Sequence, residues 1–560
     1  MRDYLAAQIN AALEKMGGTP ADFEVEFQLP NNPEHGDLAT NAALKLARHF
    51  KKSPRAIAEE LASSIEADPA QIAAIEVAGP GFLNFRFAPA YLARALQGML
   101  AAGAAYGRVE PTGKTAIVEF VSANPTGPLT VGHGRNAVLG DTLANLLEAT
   151  GYSVTREYYF NDAGRQMRVL GESVAARYRA LADPQHGTRE IEAAGGEKLV
   201  VPESFPEDGY QGDYIVEIAQ SLHDAQGDAL LAESGVDTFR EAAQDRIFQE
   251  IADTLERLHI RMDSYFNERS VYESGAVWEI VESLKKKDLA YEKDGAVWFR
   301  TTAFGKEQDT VLVKSSGEPT YRLPDIAYHV DKLSRRFDRI VDVFGADHIA
   351  TFPDVLSGVQ ALGHSTDAIE VVIYQFVTLV RGGEPVKMST RKATYVTLDD
   401  LMDEVGEDVT RFFFLMRSPN THLEFDLDLA KEAGEKNPVF YLQYAHARIA
   451  SIIRKAEEVG LRLDPDAQLE LLTHDTEEAL IKELMRYPAE LARTAESFEP
   501  HRLATYLREV AVAFTQFYGA CRIIGEGEQL ASARMQLARA AQHVIAGGLG
   551  ILGVSAPERM

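Results

Sequence analysis

Cysteine is almost missing from this chain: Cys521 stands alone among 560 residues. One thiol closes no internal disulfide and cannot build a cysteine zinc site. The expected setting is a reducing compartment, with stability coming from a buried core. No run of about 18 uncharged apolar residues occurs, so no membrane span is expected. The opening MRDYLAAQINAALEKMG carries charge where a secretory leader needs roughly 7–15 apolar residues, so none is expected there and the cytoplasm is the predicted location. Basic residues are in deficit, 57 Lys and Arg against 84 Asp and Glu, for a net charge of −27. That argues weakly against non-specific binding of nucleic acid or anionic membrane, and leaves room for a local basic site. Internal repeats and low-complexity tracts are also missing.

What remains is ordinary globular composition, 46% hydrophobic and 25% charged, with length for three or four domains. Residues 1–100 read as a small α+β unit. Helical patterns at Ala39–Phe50 and Pro54–Ile65 precede alternating segments at Ile72–Val77 and Phe82–Phe87, with a turn at Gly79-Pro80-Gly81. Ala101–Gly107 has no large aliphatic residue and reads as a linker.

Next come the β-rich run Thr115–Val121, the loop SANPTGPLTVGHG, a helical pattern Arg135–Ala149 and a strand-like run Tyr152–Phe160. This βαβ order opens a parallel sheet. Further strand candidates wait until Arg339–Phe344 and Glu370–Val380, past helical stretches and a hairpin-like Ala296–Thr301 and Asp309–Lys314. A crossover needs only about a dozen residues, so the sheet is expected to be split by an insertion. From about Leu429 onward the pattern is helical (Val439–Glu457, Glu477–Ser497, His501–Cys521, Ser532–Leu549), with Leu463–Thr476 as a loop, which suggests an α-bundle.

Two segments carry chemistry. The loop Asn124–Arg135 runs into a helix N-terminus, where free N–H groups suit phosphate. Gly132 and Gly134 let a nucleotide lie against the backbone, and His133 can donate to a phosphate oxygen. The same loop also reads as a plain turn with a capping histidine. The run Val386-Lys387-Met388-Ser389-Thr390-Arg391-Lys392 puts three cations where they could neutralise a leaving pyrophosphate, or simply face solvent. Taken in order on one split sheet, the two resemble the paired HIGH and KMSKS signatures of the class I aminoacyl-tRNA synthetases, here Thr130-Val131-Gly132-His133 and Lys387-Met388-Ser389-Thr390-Arg391. The stretches HGDLATNAALKLA, AGPGFLNF, EFVSANPTGPLTVGHGRNAVLGD, YYFNDAGRQM, YQGDYI, YRLPDIAYH, FGADH, VKMSTRKATYVTLDDL, NPVFYLQYAHARI and APERM resemble the bacterial arginyl branch of that class along essentially the whole chain. Two positions depart from the class pattern. Thr130 replaces a histidine and cannot carry charge, and Thr390 replaces the second lysine.

The resemblance implies an α/β fold: a Rossmann-like split parallel sheet in the catalytic domain, a small N-terminal α+β domain and a C-terminal α-helical bundle. The implied boundaries are 1–105, 106–395 with an insertion at about 161–320, a connecting segment 396–430, and 431–560. It implies attachment of L-arginine to tRNA(Arg) through an adenylate, by a monomer, with Mg²⁺ carried on ATP and no zinc. It assigns the chemistry to His133, Thr130, Lys387, Ser389 and Arg391. ATP contacts fall to Gly132, Gly134, Asn136, Asp347, His348, Met388 and Lys392. Glu119, Asn124, Tyr321 and Asp325 would bind arginine, since a planar guanidinium wants carboxylate partners. Phe82 and Asn84 would meet the tRNA elbow, and Tyr441, Tyr444 and Met560 the anticodon. By spacing alone Phe82 reads equally as core, and Tyr441 and Tyr444 as bundle core. Two other readings of the same motifs are a small-molecule adenylyltransferase and a non-catalytic tRNA-binding relative.

Overall fold

Alternation in the first hundred residues becomes an antiparallel sheet with Phe82–Phe87 between Leu38–Thr40 and Ile72–Ala78. The structure, a computed structural model, describes residues 1–30, 32–162, 164–183, 187–192, 198–232, 235–386 and 396–560. Leu83 and Phe85 point into a core shared with Leu5, Ile9, Leu46, Ile57 and Leu61. Helix Pro54–Ser64 is started by Ser53, whose side chain accepts from the Ala56 N–H at 3.3 Å, and by Pro54 in its first turn. The helix expected from Ala39 begins at Ala42, because Leu38–Thr40 pairs with the central strand. Ala101–Gly107 does not run free. Tyr106 packs against Tyr487 at 6.1 Å and donates to the Leu484 carbonyl at 3.3 Å.

The central unit is built on a five-stranded parallel sheet. Its strands are β1 (Thr115–Glu119), β2 (Ser153–Phe160), β3 (Ser264–Asn267), β4 (Arg339–Gly345) and β5 (Ile369–Tyr374), in the order β5-β4-β1-β2-β3. Helix α1 (Val131–Ala149) crosses from β1 to β2, and helix α2 (Arg322–Ser334) precedes β4. The chain walks outward from β1 to β3, then returns to the other side of β1 for β4 and β5. The order therefore reverses between β1 and β4, and the carboxyl ends of those two strands flank a crevice of the kind that binds ligands. Alternation along β1 serves both faces: Val118 joins the core on the α1 side, while Ile117 packs with Ile340, Leu333 and Phe337 on the α2 side.

Two sequence expectations change here. The expected insertion is not all outside the sheet, since β3 returns to pair with β2. The run Glu370–Val380 is two strands: β5 ends at Tyr374, and Val377–Arg381 pairs with Leu423–Asp426 in a separate sheet. The hairpin-like segment is the centre and edge of a small antiparallel sheet with Ala290–Lys293.

Helix α3 (Glu407–Leu415) joins the halves of the molecule. Arg411 on α3 is wholly buried. Its guanidinium donates to Asp141 on α1 at 2.6 Å, to the Leu552 carbonyl at 3.0 Å and to the Leu258 carbonyl. Gly553 makes this possible: its φ is +69°, and a Cβ there would lie 2.1 Å from the guanidinium carbon. One turn earlier, Asp408 accepts from the Ser555 N–H at 2.9 Å. The C-terminal region is helical, led by α4 (Pro438–Glu458). The expected helix Glu477–Ser497 divides into Asp475–Met485 and Tyr487–Ser497, with Pro488 in the first turn of the second. Among the described residues no helix is long and apolar enough to cross a membrane.

Candidate functional site

The β1–α1 loop turns sharply. Val121 and Ser122 both have positive φ, 64° and 42°, an uncommon state for a β-branched residue. Three hydrogen bonds hold the turn. The Val121 N–H donates to Asn136 Oδ1 at 2.6 Å, the Asn136 amide donates to the Val343 carbonyl at 2.9 Å, and the Ser122 hydroxyl donates to Glu119 at 2.9 Å. Both ends of the Asn136 amide are thus spent inside the protein, tying the loop to β4. Asn124 lies further along the same loop and donates to Gln166 at 2.7 Å.

Helix α1 begins earlier than its sequence pattern suggests, at Val131, with Thr130 as N-cap. Gly132, His133 and Gly134 therefore occupy its first turn. A Cβ on Gly134 would meet Leu398 at 2.5 Å, so its bareness serves helix packing, whereas the side of Gly132 is open. The Thr130 N–H donates to His133 Nδ1 at 3.1 Å. That bond makes Nδ1 an acceptor and puts the ring proton on Nε2. Burial pushes the imidazole down to about 4, so a neutral donor stands at the helix N-terminus. Thr130 also bridges Thr397, and the Leu398 N–H donates to the Leu129 carbonyl at 2.8 Å. The residues just past the second signature thus abut the first. Lys387, Met388, Ser389, Arg391 and Lys392 themselves lie outside the described residues.

At the crevice floor three carboxylates share one row of the sheet, Asp342 beside Glu119 beside Glu157. Helix α2 lies over them and answers with side chains at helical spacing. Lys332 bonds Glu119 and Asp342, Arg335 bonds both oxygens of Glu157 at 2.6 and 2.7 Å, and the Tyr328 hydroxyl donates to Glu157 at 2.7 Å. Tyr321 caps α2 and is 67% exposed; Asp325 sits one turn on. The Asp325 carboxyl accepts no hydrogen bond from a described residue. Burial, with the charges of Glu119 and Glu268 adding to it, pushes that carboxyl up to about 7. Glu268 was not singled out from the sequence. It is 5% exposed, accepts from the Tyr159 hydroxyl at 2.9 Å, and is raised by burial. Its only sequence signal was its place just past β3, a strand the pattern did not reveal. Asp347 and His348 form a short turn after β4, with His348 stacked on Phe344 at 5.1 Å.

A second concave surface lies about the middle of α4, with a volume of about 820 Å³. Tyr444, Tyr518 and Met560 line it with Arg448, Arg454, Lys455, Arg522 and Arg559, against Glu558 as the one lining acid. The tail that carries Met560 is fastened by His446 to the Pro557 carbonyl at 2.8 Å and by Gln443 to Ser555. Tyr444 is 43% exposed and stacks on Phe440, while Tyr441 packs against the core instead of the groove. In the N-terminal sheet Phe82 is half-buried, but Asn84 is only 5% exposed. The structure therefore brings Tyr444 and Met560 together, and does not present Phe82 and Asn84 as an open pair.

Comparison with known proteins agrees along the whole chain. Residues 3–87 match the family described as "Arginyl tRNA synthetase N terminal domain", residues 95–421 "tRNA synthetases class I (R), catalytic domain", and residues 442–560 "DALR anticodon binding domain". An arginine–tRNA ligase of Salinibacter ruber is 60% identical over 563 residues, covering 100% of both chains. One from Desulfotalea psychrophila is 49% identical, covering 95% of this chain and 94% of its own. The solved Thermus thermophilus arginyl-tRNA synthetase superposes with a TM-score of 0.75 at 22% identity, covering 100% of each chain.

Proposed function

The chain belongs to the arginyl-tRNA synthetases, and from that premise we propose how its residues divide the reaction. The activity is ATP-dependent attachment of arginine to tRNA, with arginine, ATP and tRNA as partners. The observation that carries the residue assignment is the crevice at the switch of strand order. Buried acids lie on one wall, and a neutral histidine donor stands at a helix N-terminus on the other.

Arginine enters with its guanidinium toward Asp325 and Glu268, beside Tyr321, and its polar head near Glu119 and Asn124. Its carboxylate attacks the α-phosphate of ATP in line, so a phosphorus–oxygen bond forms and pyrophosphate leaves. Mg²⁺ arrives on the triphosphate. His133 Nε2–H donates to phosphate oxygens, and the free N–H groups of the first α1 turn add to the same field. Thr130 acts chiefly through His133, by fixing its tautomer. Asn136 acts by holding the loop. Asp347 and His348 line the ribose side, and Gly132 leaves room for the nucleotide. Lys387, Met388, Ser389, Arg391 and Lys392 are assigned to the pyrophosphate end by sequence alone. The terminal 2′-hydroxyl of tRNA then attacks the acyl carbonyl and AMP leaves. Tyr444 and Met560 receive anticodon bases in the basic groove, where aromatic faces stack unpaired bases. Tyr441 supports that helix from behind, and of the N-terminal pair the half-buried Phe82 faces tRNA while the buried Asn84 backs it. The reading takes the chain as a cytoplasmic monomer.

The test is ATP–pyrophosphate exchange with each of the twenty amino acids, with and without tRNA. Exchange with arginine alone among the twenty, and only when cognate tRNA is present, is expected. Faster exchange with another amino acid would remove the substrate assignment. Full exchange without tRNA would remove only the dependence on tRNA.

A further inference from the structure

The proposed reaction leaves the buried cation beside Glu119 unused. Lys332 is 0% exposed, and its ammonium lies 2.5 Å from Glu119 Oε2, 2.5 Å from Asp342 Oδ1 and 4.1 Å from the centre of the Tyr328 ring. Glu119 and Asp342 are register partners on β1 and β4, both buried beneath α2. Two carboxylates so placed cannot both stay ionised without a resident cation. The far side of the pair is closed by His329, with Nε2 3.0 Å from Asp342 Oδ2 and Nδ1 2.7 Å from the Asp325 carbonyl. Burial pushes Glu119 up, and Lys332 pulls it back. Asp342, although buried, is held well below the usual carboxylate range by Lys332 and His329. The other titratable groups facing the cluster are Asp325, Tyr328 and Asp331 on α2 and Tyr159 on β2. Glu157 on β2 makes no claim on Lys332, because Arg335 already holds both of its oxygens.

We infer that Lys332 is a positioning residue for arginine: it keeps Glu119 ionised and aimed, and by neutralising the Glu119–Asp342 pair it leaves Asp325 and Glu268 as the uncovered acids that orient the incoming guanidinium. This rests on the reading that Glu119 meets arginine. It predicts an effect confined to one substrate. Among the described residues Lys332 bonds Glu119 and Asp342 and not His133, so ATP binding should not depend on it. It also predicts that, without the ammonium, Asp342 competes with Glu119 for ionisation and leaves Glu119 part-protonated, so removing the Asp342 charge as well restores it.

The experiment uses the full chain with Lys332→Met, close in length and uncharged, and the double variant Lys332→Met/Asp342→Asn. Arginine and ATP KM are measured in tRNA-dependent ATP–pyrophosphate exchange from pH 6 to 9, each as a ratio to wild type at the same pH. In Lys332→Met the arginine KM ratio rises about tenfold or more at pH 7 and falls as pH increases, because Glu119 and Asp342 then share a proton that leaves only at higher pH. The ATP KM and kcat stay within about twofold. In the double variant the arginine ratio returns to within about threefold of wild type and is flat with pH. If Lys332→Met does not fold, the double variant decides alone: a flat, near-wild-type arginine KM upholds the inference, and a raised one overturns it. An unchanged arginine KM in Lys332→Met, or arginine and ATP KM rising together at every pH, also overturns it. Glu119→Gln separates the two layers. If it leaves arginine KM unchanged, the binding assignment of Glu119 fails; if it raises KM while Lys332→Met does not, only the positioning role falls.

Discussion

The crevice at the carboxyl ends of β1 and β4 is acidic, buried and wired by ion pairs, whereas the groove along α4 is basic, open and edged by aromatic rings. On the proposed reading each is the negative of what it receives: a guanidinium in one, a polyanion in the other. The acids of the crevice are dry, so each unmatched charge is costly and recognition is strict. The cations of the groove keep their water, so each contributes little and salt weakens them all. An overall charge of −27 thus hides two opposite local designs.

The largest expected break in this contrast is Asp325→Asn. Loss of a charge-assisted partner for the guanidinium lowers arginine kcat/KM by about 2–4 kcal/mol, with ATP KM nearly unchanged. The same change stabilises the protein. Folding raises the Asp325 carboxyl to about 7, so its ionisation opposes the folded state as pH climbs. The gain in melting temperature should grow from about pH 4 to pH 7 and then level off. Equal losses for arginine and ATP, or a variant that melts earlier at pH 8, would make Asp325 a structural residue.

Tyr444→Ala tests the open groove. Stacking on one base accounts for about 1–3 kcal/mol, read in kcat/KM for tRNA, while the melting temperature holds because the ring is exposed. Raising salt should weaken the wild-type tRNA KM severalfold and leave the arginine KM within about twofold. A collapsed melting temperature with unchanged tRNA affinity would return Tyr444 to the core.

A third test uses pH on the unmodified enzyme. With the Asp325 carboxyl at about 7, arginine KM should be about tenfold higher at pH 6 than at pH 8, and tRNA KM should not follow it. A flat arginine profile would exclude Asp325 as the titrating partner.

The smallest effect is expected at Thr130→Val. The backbone N–H that sets the His133 tautomer survives, and only the hydroxyl 3.3 Å from Nδ1 is lost. Single-turnover arginylation should slow by up to about tenfold, roughly 1.4 kcal/mol. Wild-type rates would make the hydroxyl a packing group.

Much of this was legible in the sequence because its signals are local. The βαβ opening and the helical C-terminal third follow from periodicity, while Tyr321 and Asp325 came only from the family resemblance. What escaped depends on partners far along the chain. Helix α1 takes in Gly132 to Gly134 because Leu398 and Phe414 need a bare Gly134 to pack against it. Glu268 was hidden because β3 is only 4 residues long. Asn136 is engaged on both sides by Val121 and Val343, which no motif on α1 could reveal. Lys332 reads as one more surface charge until the register of β1 and β4 brings two carboxylates beneath it.

Arg411 has a consequence for the order in which the protein comes into being. Its three acceptors, Asp141, Leu258 and Leu552, are spread over most of the chain. During synthesis from the N-terminus, Asp141 and Leu258 are present long before Leu552 leaves the ribosome. Until then the guanidinium in the middle of the molecule lacks one partner. A segment made late is therefore part of the bracing of the first motif's helix.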